Sequence, residues 1–243
     1  MNPDRITRPE ARKLAEREFA RFAELTASLT PEDWQAPTDC IGWDVRKVAL
    51  HVLGSAEAQA SFPQFLHQLR RGRPLNEEID THHWVDGLNE LQIRERSRLS
   101  NDELAAQLHT IGPKAVKGRW RTPPPIRYLP ISFGPPIGWK PLKYLLDVGF
   151  TRDVWVQRVD IDVAINRPTL LTADHDGRLV ADIVAEWASL HGDPFELVLD
   201  GPAGGKFTQG LDGERVEIDA VEFIRVLSGR RSGTGVLRHQ LPL

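Results

Sequence analysis

Apolar residues recur with helical spacing through the first two thirds of the chain. Ala11, Leu14, Ala15, Phe19, Phe22, Leu25 and Leu29 share one face of a helix over residues 8–29. Thr30 to Trp34 reads as a turn or helical turn, and Pro37 to Gly42 as a loop. Asp44 is placed to cap a second helix from Val45 to about Leu69, which Pro63 kinks or divides. A third helical pattern covers Glu77 to Leu99. Ser100 and Glu103 then form a capping-box pattern for a helix reaching about Lys117. Residues 119–139 are rich in Pro, Gly and aromatics and predict a long loop, a feature often tied to function in a compact domain. The last long helix is expected over Pro141 to Ile165.

The pattern changes after Asn166-Arg167-Pro168. One more helix is expected over residues 174–191. Phe195–Leu199, Lys206–Gln209 and Arg215–Ile218 read as strands, Asp219 caps a helix through Leu227, and Val236–Leu241 suggests a final strand. The expected protein is mainly α: a helical bundle over residues 1–168, then a small α+β domain over 169–243.

Within the last long helix, the stretch RDVWVQRVDI (Arg152 to Ile161) interrupts an apolar face. Leu142, Leu146 and Gly149 lead along one ridge to Asp153 and Gln157, which lie four residues apart and so one turn apart. An inward carboxylate and amide need partners, because burying an unpaired polar group costs roughly 2–7 kcal/mol. Asp153 can find one in Arg152, in Arg158 or in an arginine of another helix, or it can serve a site.

Composition narrows the chemistry. The 243 residues are 40% hydrophobic and 27% charged with a net charge of −3, ordinary for a soluble globular protein and giving no general attraction to nucleic acid or anionic membranes. Arg70-Arg71-Gly72-Arg73 and Arg230-Arg231 are short enough to be solvated helix ends. No apolar run spans a bilayer and no secretory signal opens the chain, so a cytoplasmic protein is expected. Cys40, the single cysteine, excludes an internal disulfide framework and a cysteine-rich zinc module. A metal would have to be held by His, carboxylate or amide groups.

Two clusters of residues carry a family resemblance. Trp34, Pro37, Thr38, Cys40, Gly42, Trp43, Asp44 and Val45 are followed by His51-Val52-Leu53-Gly54, and Arg152-Asp153 by Gln157-Arg158-Val159-Asp160-Ile161. In order and spacing they resemble the mycothiol-dependent maleylpyruvate isomerase family of the DinB-like superfamily, an actinobacterial group. The tail from Asp219 to Leu243 resembles its C-terminal domain. The resemblance implies a four-helix bundle with a small C-terminal domain. It also implies a metal site, usually zinc, built from a His on the second helix and an acid-x-x-x-His pair on the fourth. His51 and Asp153 match two of these ligands, and Gln157 stands where the second His is expected. The implied chemistry is a transferase or isomerase reaction in which a thiol, mycothiol in the family, attacks a small electrophile. An amide oxygen is a weaker and harder donor than imidazole, so the alternative is a non-catalytic small-molecule-binding or stress-related module with a degenerate site. Expected partners are a small thiol and a small electrophile, with no nucleic acid or membrane, in a monomer or homodimer.

Other candidates rank lower. Cys40 reads as a small apolar residue packed where the loop enters the second helix, ahead of a nucleophile served by His51. His82 and His83 point apart on a helix and are no ligand pair, although one of them is able to replace the missing imidazole. The Gly201–Lys206 segment lacks P-loop spacing and reads as a hairpin turn, and Gly229–Gly235 as a connection. The loop from Arg119 to Trp139 serves equally as a lid or as a surface loop packing its aromatics.

Overall fold

The computed structural model describes residues 5–80 and 84–242. The protein is mainly α, with a four-helix bundle and a small α+β region. Its residues form two compact units. One consists of Ala11–Arg127 and Asp153–Pro168, and the other takes the remaining described residues.

The first unit is helical. Helix α1 spans Arg8–Ala27, and a 3-10 turn at Asp33–Gln35 leads to α2 (Val45–Ala60). Asp44 caps α2 by accepting from the Lys47 amide at 2.7 Å. The expected single helix to Leu69 is divided. Ser61 leaves helical geometry and caps α3 (Phe62–Gly72), with Pro63 in its first turn, where a missing N–H is harmless. The third pattern is shorter than expected. It comprises α4 (Leu75–Glu78) and α5 (Trp84–Arg96); His82 and His83 lie outside the described residues. Ser100 and Glu103 make the reciprocal capping box of α6 (Asn101–Arg121). Phe19 and Phe22 of α1, Val48, Val52 and Leu53 of α2, Leu104 and Leu108 of α6 and Val154 and Ile161 further along the chain form one buried cluster. Gly118 brings α6 against the end of α2: a Cβ there would lie 2.0 Å from the Gln59 carbonyl oxygen.

Residues 119–139 are not a bare loop. After α7 (Pro124–Arg127), Pro130–Ser132 (β1) pairs antiparallel with Trp139–Pro141 (β2). The expected helix from Pro141 to Ile165 is interrupted: α8 (Leu142–Tyr144) passes through a π turn at Leu145–Gly149 into α9 (Phe150–Ala164). At Gly149 the Leu145 side chain takes up the space a Cβ would fill, with Cδ1 2.9 Å from that position.

The second unit contains β1, β2, the π turn and the C-terminal region. A second π turn at Ala173–Gly177 opens α10 (Arg178–His191). Strand β3 (Phe195–Asp200) lies at the centre of a three-stranded sheet, antiparallel to β4 (Gly205–Gln209) and parallel to β5 (Glu214–Asp219). Asp219 caps α11 (Ala220–Leu227). Trp187 of α10 packs on Phe195 and Phe223, with ring centroids 5.0 and 5.4 Å away. The expected final strand is a 3-10 turn at Gly235–Arg238. Bonds from Trp187 Nε1 to the His239 carbonyl (2.7 Å) and from the Leu241 amide to the Leu227 carbonyl (2.8 Å) fasten the chain's end.

Candidate functional site

His51 sits two turns into α2, almost fully buried, with its ring centroid 5.3 Å from that of Trp43. Asp153 lies in the first turn of α9, its side chain 26% exposed. Although 102 positions apart in the chain (153 − 51), they meet: His51 Nε2 is 3.5 Å from Asp153 Oδ2. The other ring nitrogen, Nδ1, is 2.8 Å from the side-chain oxygen of Gln92 on α5.

Two arginines of α9 reach carboxylates of other helices. Arg152 reaches Asp182 Oδ2 at 2.6 Å and Glu186 Oε2 at 2.5 Å, both on α10. Burial alone would lower its pKa, but Asp182, Tyr144 and Glu186 outweigh burial and raise it. The Tyr144 hydroxyl donates to Glu186 at 3.0 Å and is itself pushed up, chiefly by burial. Arg158 pairs with Glu18 of α1, Nε to Oε1 at 2.6 Å, with both side chains buried.

Gln157 is buried one turn beyond Asp153, and its Oε1 lies 4.0 Å from Cys40 Sγ. The thiol is also 3.5 Å from Asp160 Oδ2. Cys40 is therefore more than apolar filling, since it meets two polar groups of α9.

The donor set of His51 and Asp153 suits a divalent ion. Ligands about 2.0–2.2 Å from a tetrahedral zinc stand roughly 3.4 Å from each other, close to the 3.5 Å seen here. A ligating imidazole usually gives its other N–H to a fixed acceptor, and Gln92 Oε1 stands where it could accept from His51 Nδ1. Gln157 follows Asp153 on the same helix and offers an amide oxygen.

A second group of possible ligands, His191, Asp193 and His239, brings donor atoms within 4.8 Å of one another. Its geometry is that of a clasp. The two imidazole rings stack with centroids 4.7 Å apart and planes 6° from parallel, so one ion cannot lie in both ring planes, where the nitrogen lone pairs point. His191 Nδ1 accepts from the Asp193 amide at 2.9 Å, which leaves the ring proton of the neutral form on Nε2. Asp193 in turn holds His239 at 2.8 Å and Arg238 at 3.1 Å.

Sequence reasoning missed Gln92. A glutamine on a helix is ordinarily solvated, and nothing in the spacing of α5 marks it as facing a histidine from another helix.

The model of the mycothiol maleylpyruvate isomerase N-terminal domain matches residues 15–162. Among solved structures, the chain is similar to that of the mycothiol-dependent maleylpyruvate isomerase, at 16% identity and a TM-score of 0.57, covering 93% of this chain and 90% of that one. The same values hold for a variant of that isomerase in which a histidine is replaced by alanine. At this identity the likeness concerns the fold. Comparison with curated proteins gives no match. Among the described residues, no helix is long and apolar enough to cross a membrane.

Proposed function

The chain belongs to the mycothiol maleylpyruvate isomerase N-terminal domain family, and from that premise we propose that it is a metal-assisted, thiol-dependent transferase or isomerase acting on a small electrophile. The observation supporting this most is the placement of His51 Nε2 3.5 Å from Asp153 Oδ2 while Nδ1 is held by Gln92. His51 would offer a neutral lone pair, Asp153 a carboxylate charge and Gln157 a weaker amide oxygen to one divalent ion, with zinc the natural choice for a histidine-carboxylate set. When bound, such an ion lowers the pKa of a thiol so that it is deprotonated near neutral pH. Trp43 beside His51 limits water on that side of the imidazole. The thiol is the nucleophile toward the electrophile, and mycothiol is the cosubstrate that the family's name suggests.

A second reading has its own support. Gln157 Oε1 lies beside the Cys40 thiol, an arrangement open to a bundle that keeps its pocket as a binding module without a working metal. Elemental analysis of the purified protein and of Gln157→His separates the two, together with an assay of maleylpyruvate turnover with and without mycothiol. Near-stoichiometric zinc that disappears in His51→Ala and Asp153→Ala, with thiol-dependent turnover, supports the enzyme. A metal-free native protein whose Gln157→His variant loads zinc supports the binding module. If neither loads zinc, the three residues do not share an ion and the site assignment fails.

A further inference from the structure

We infer that a buried relay of two glutamines, anchored on the Gly54 carbonyl, fixes the tautomer of His51. Gln68 of α3 donates through Nε2 to the Gly54 backbone oxygen at 2.8 Å. Gln92 of α5 donates through Nε2 to Gln68 Oε1 at 2.8 Å. Gln92 Oε1 then faces His51 Nδ1, also at 2.8 Å. Gln68, Gln92 and His51 are 1%, 5% and 6% exposed, so water does not substitute for these partners.

The anchor gives the relay its direction. A backbone carbonyl only accepts, so the Gln68 amide must present its NH2 to Gly54 and its oxygen to Gln92. Gln92 must therefore present its NH2 to Gln68 and its oxygen to His51. Turning the Gln68 amide over would set two oxygens against each other at this distance. The last acceptor in the line requires a donor, so Nδ1 of His51 carries a proton, and in the neutral ring the lone pair lies on Nε2, on the Asp153 side. Gly54 makes the approach possible twice over. Its carbonyl starts the relay, and a Cβ at this position would lie 2.6 Å from Gln92 Cβ and 3.0 Å from Arg96 Nη1. Arg96 Nη1 also donates to the Gln92 backbone oxygen at 2.9 Å, holding that residue in place. Gln68 and Gln92 are thus positioning residues that act through His51. Their value to the reaction rests on the proposed reading of the site, whereas the tautomer does not.

The test is long-range nitrogen–proton NMR of the histidine rings in metal-free, 15N-labelled protein, with His51 assigned by its loss in His51→Gln. The expected native signal is the neutral ring protonated at Nδ1. Gln92→Leu should shift it toward the Nε2-protonated form. The signals of His175 and His191 report that each variant is folded. In zinc titrations, Gln92→Leu is expected to weaken binding by about 10–100-fold. A native His51 protonated at Nε2, or a tautomer unchanged in folded Gln92→Leu, overturns the relay. An Nδ1-protonated ring in a protein that binds no zinc leaves the relay standing and overturns the metal reading instead.

Discussion

Removing one partner of the Glu18–Arg158 pair should destabilise the helical unit far more than removing both. The two side chains are 1% and 3% exposed, and Nε to Oε1 is 2.6 Å with Nη2 to Oε2 at 3.5 Å, a two-point contact. Taking one ion away removes a direct countercharge from the other in a buried setting, at a cost of about 3–5 kcal/mol. For a urea dependence of about 2 kcal/mol per molar, that moves the unfolding midpoint down by roughly 2 M. Glu18→Leu and Arg158→Leu should each show this loss. The double variant, in which neither charge is left alone, should recover most of it, because an apolar replacement of a buried pair is often neutral or better. Chemical denaturation followed by circular dichroism gives the three midpoints, and the double-mutant cycle gives the coupling. Single losses under about 1 kcal/mol, or a double variant equal to the sum of the two, would refute the reasoning, since either outcome means that the ions are not isolated from water as a pair.

Two further outcomes follow from local geometry. Gly54→Ala must displace Gln92 or Arg96 and should lower stability by about 1–3 kcal/mol while reducing zinc content; an unchanged melting temperature would show that α5 yields freely. The His191 clasp should loosen in acid. Burial and the neighbouring His239 lower the pKa of His191, and the hydrogen bond from His239 lowers that of Asp193. A depressed pKa means stability that is present above the group's unfolded value and lost below it. The loss should begin as pH falls past about 6.5 for His191 and past about 4 for Asp193. Thermal melts at pH 7 and pH 5 should therefore differ more in the native protein than in His191→Phe, and equal differences would dismiss the clasp.

The parts of this fold legible in the sequence were those fixed by neighbours. Asp44, Ser100 and Asp219 each cap a helix through bonds to amides two or three residues away, so their type and position suffice. The apolar stripe of α1 likewise needs only its own periodicity. The π turn at Leu145–Gly149 left no such mark, because one extra residue in a helical turn changes no residue type. The roles of Arg152 and Arg158 were open for a different reason: their partners lie 30 and 140 positions away, and several carboxylates were equally eligible. Gln68 and Gln92 were invisible on the same ground. The polar interruption of α9 was legible, and so was the candidacy of His51, through the flanking motif. What the motif did not carry was the second pair of contacts that orients the histidine.

That orientation bears on why Asp153 faces His51 at all. With Nδ1–H given to Gln92, the Nε2 lone pair and the Asp153 oxygen are both electron-rich, and the two helices hold them 3.5 Å apart. Two such atoms repel unless something positive lies between them. A proton on Nε2 would supply that charge and make the contact an ion pair. In the proposed site a divalent ion with bonds of about 2.0–2.2 Å would fit the same spacing. Of the arginines that sequence reasoning offered as partners for Asp153, Arg152 reaches Asp182 and Glu186, and Arg158 reaches Glu18. On the proposed reading, Gln157 would set how well such an ion is held. In the proposed site an amide in place of imidazole would give one nitrogen, one carboxylate and one neutral oxygen, a set weaker and harder than the usual zinc triad. Metal content, more than fold, is therefore the measurement that separates the two proposed readings of this chain.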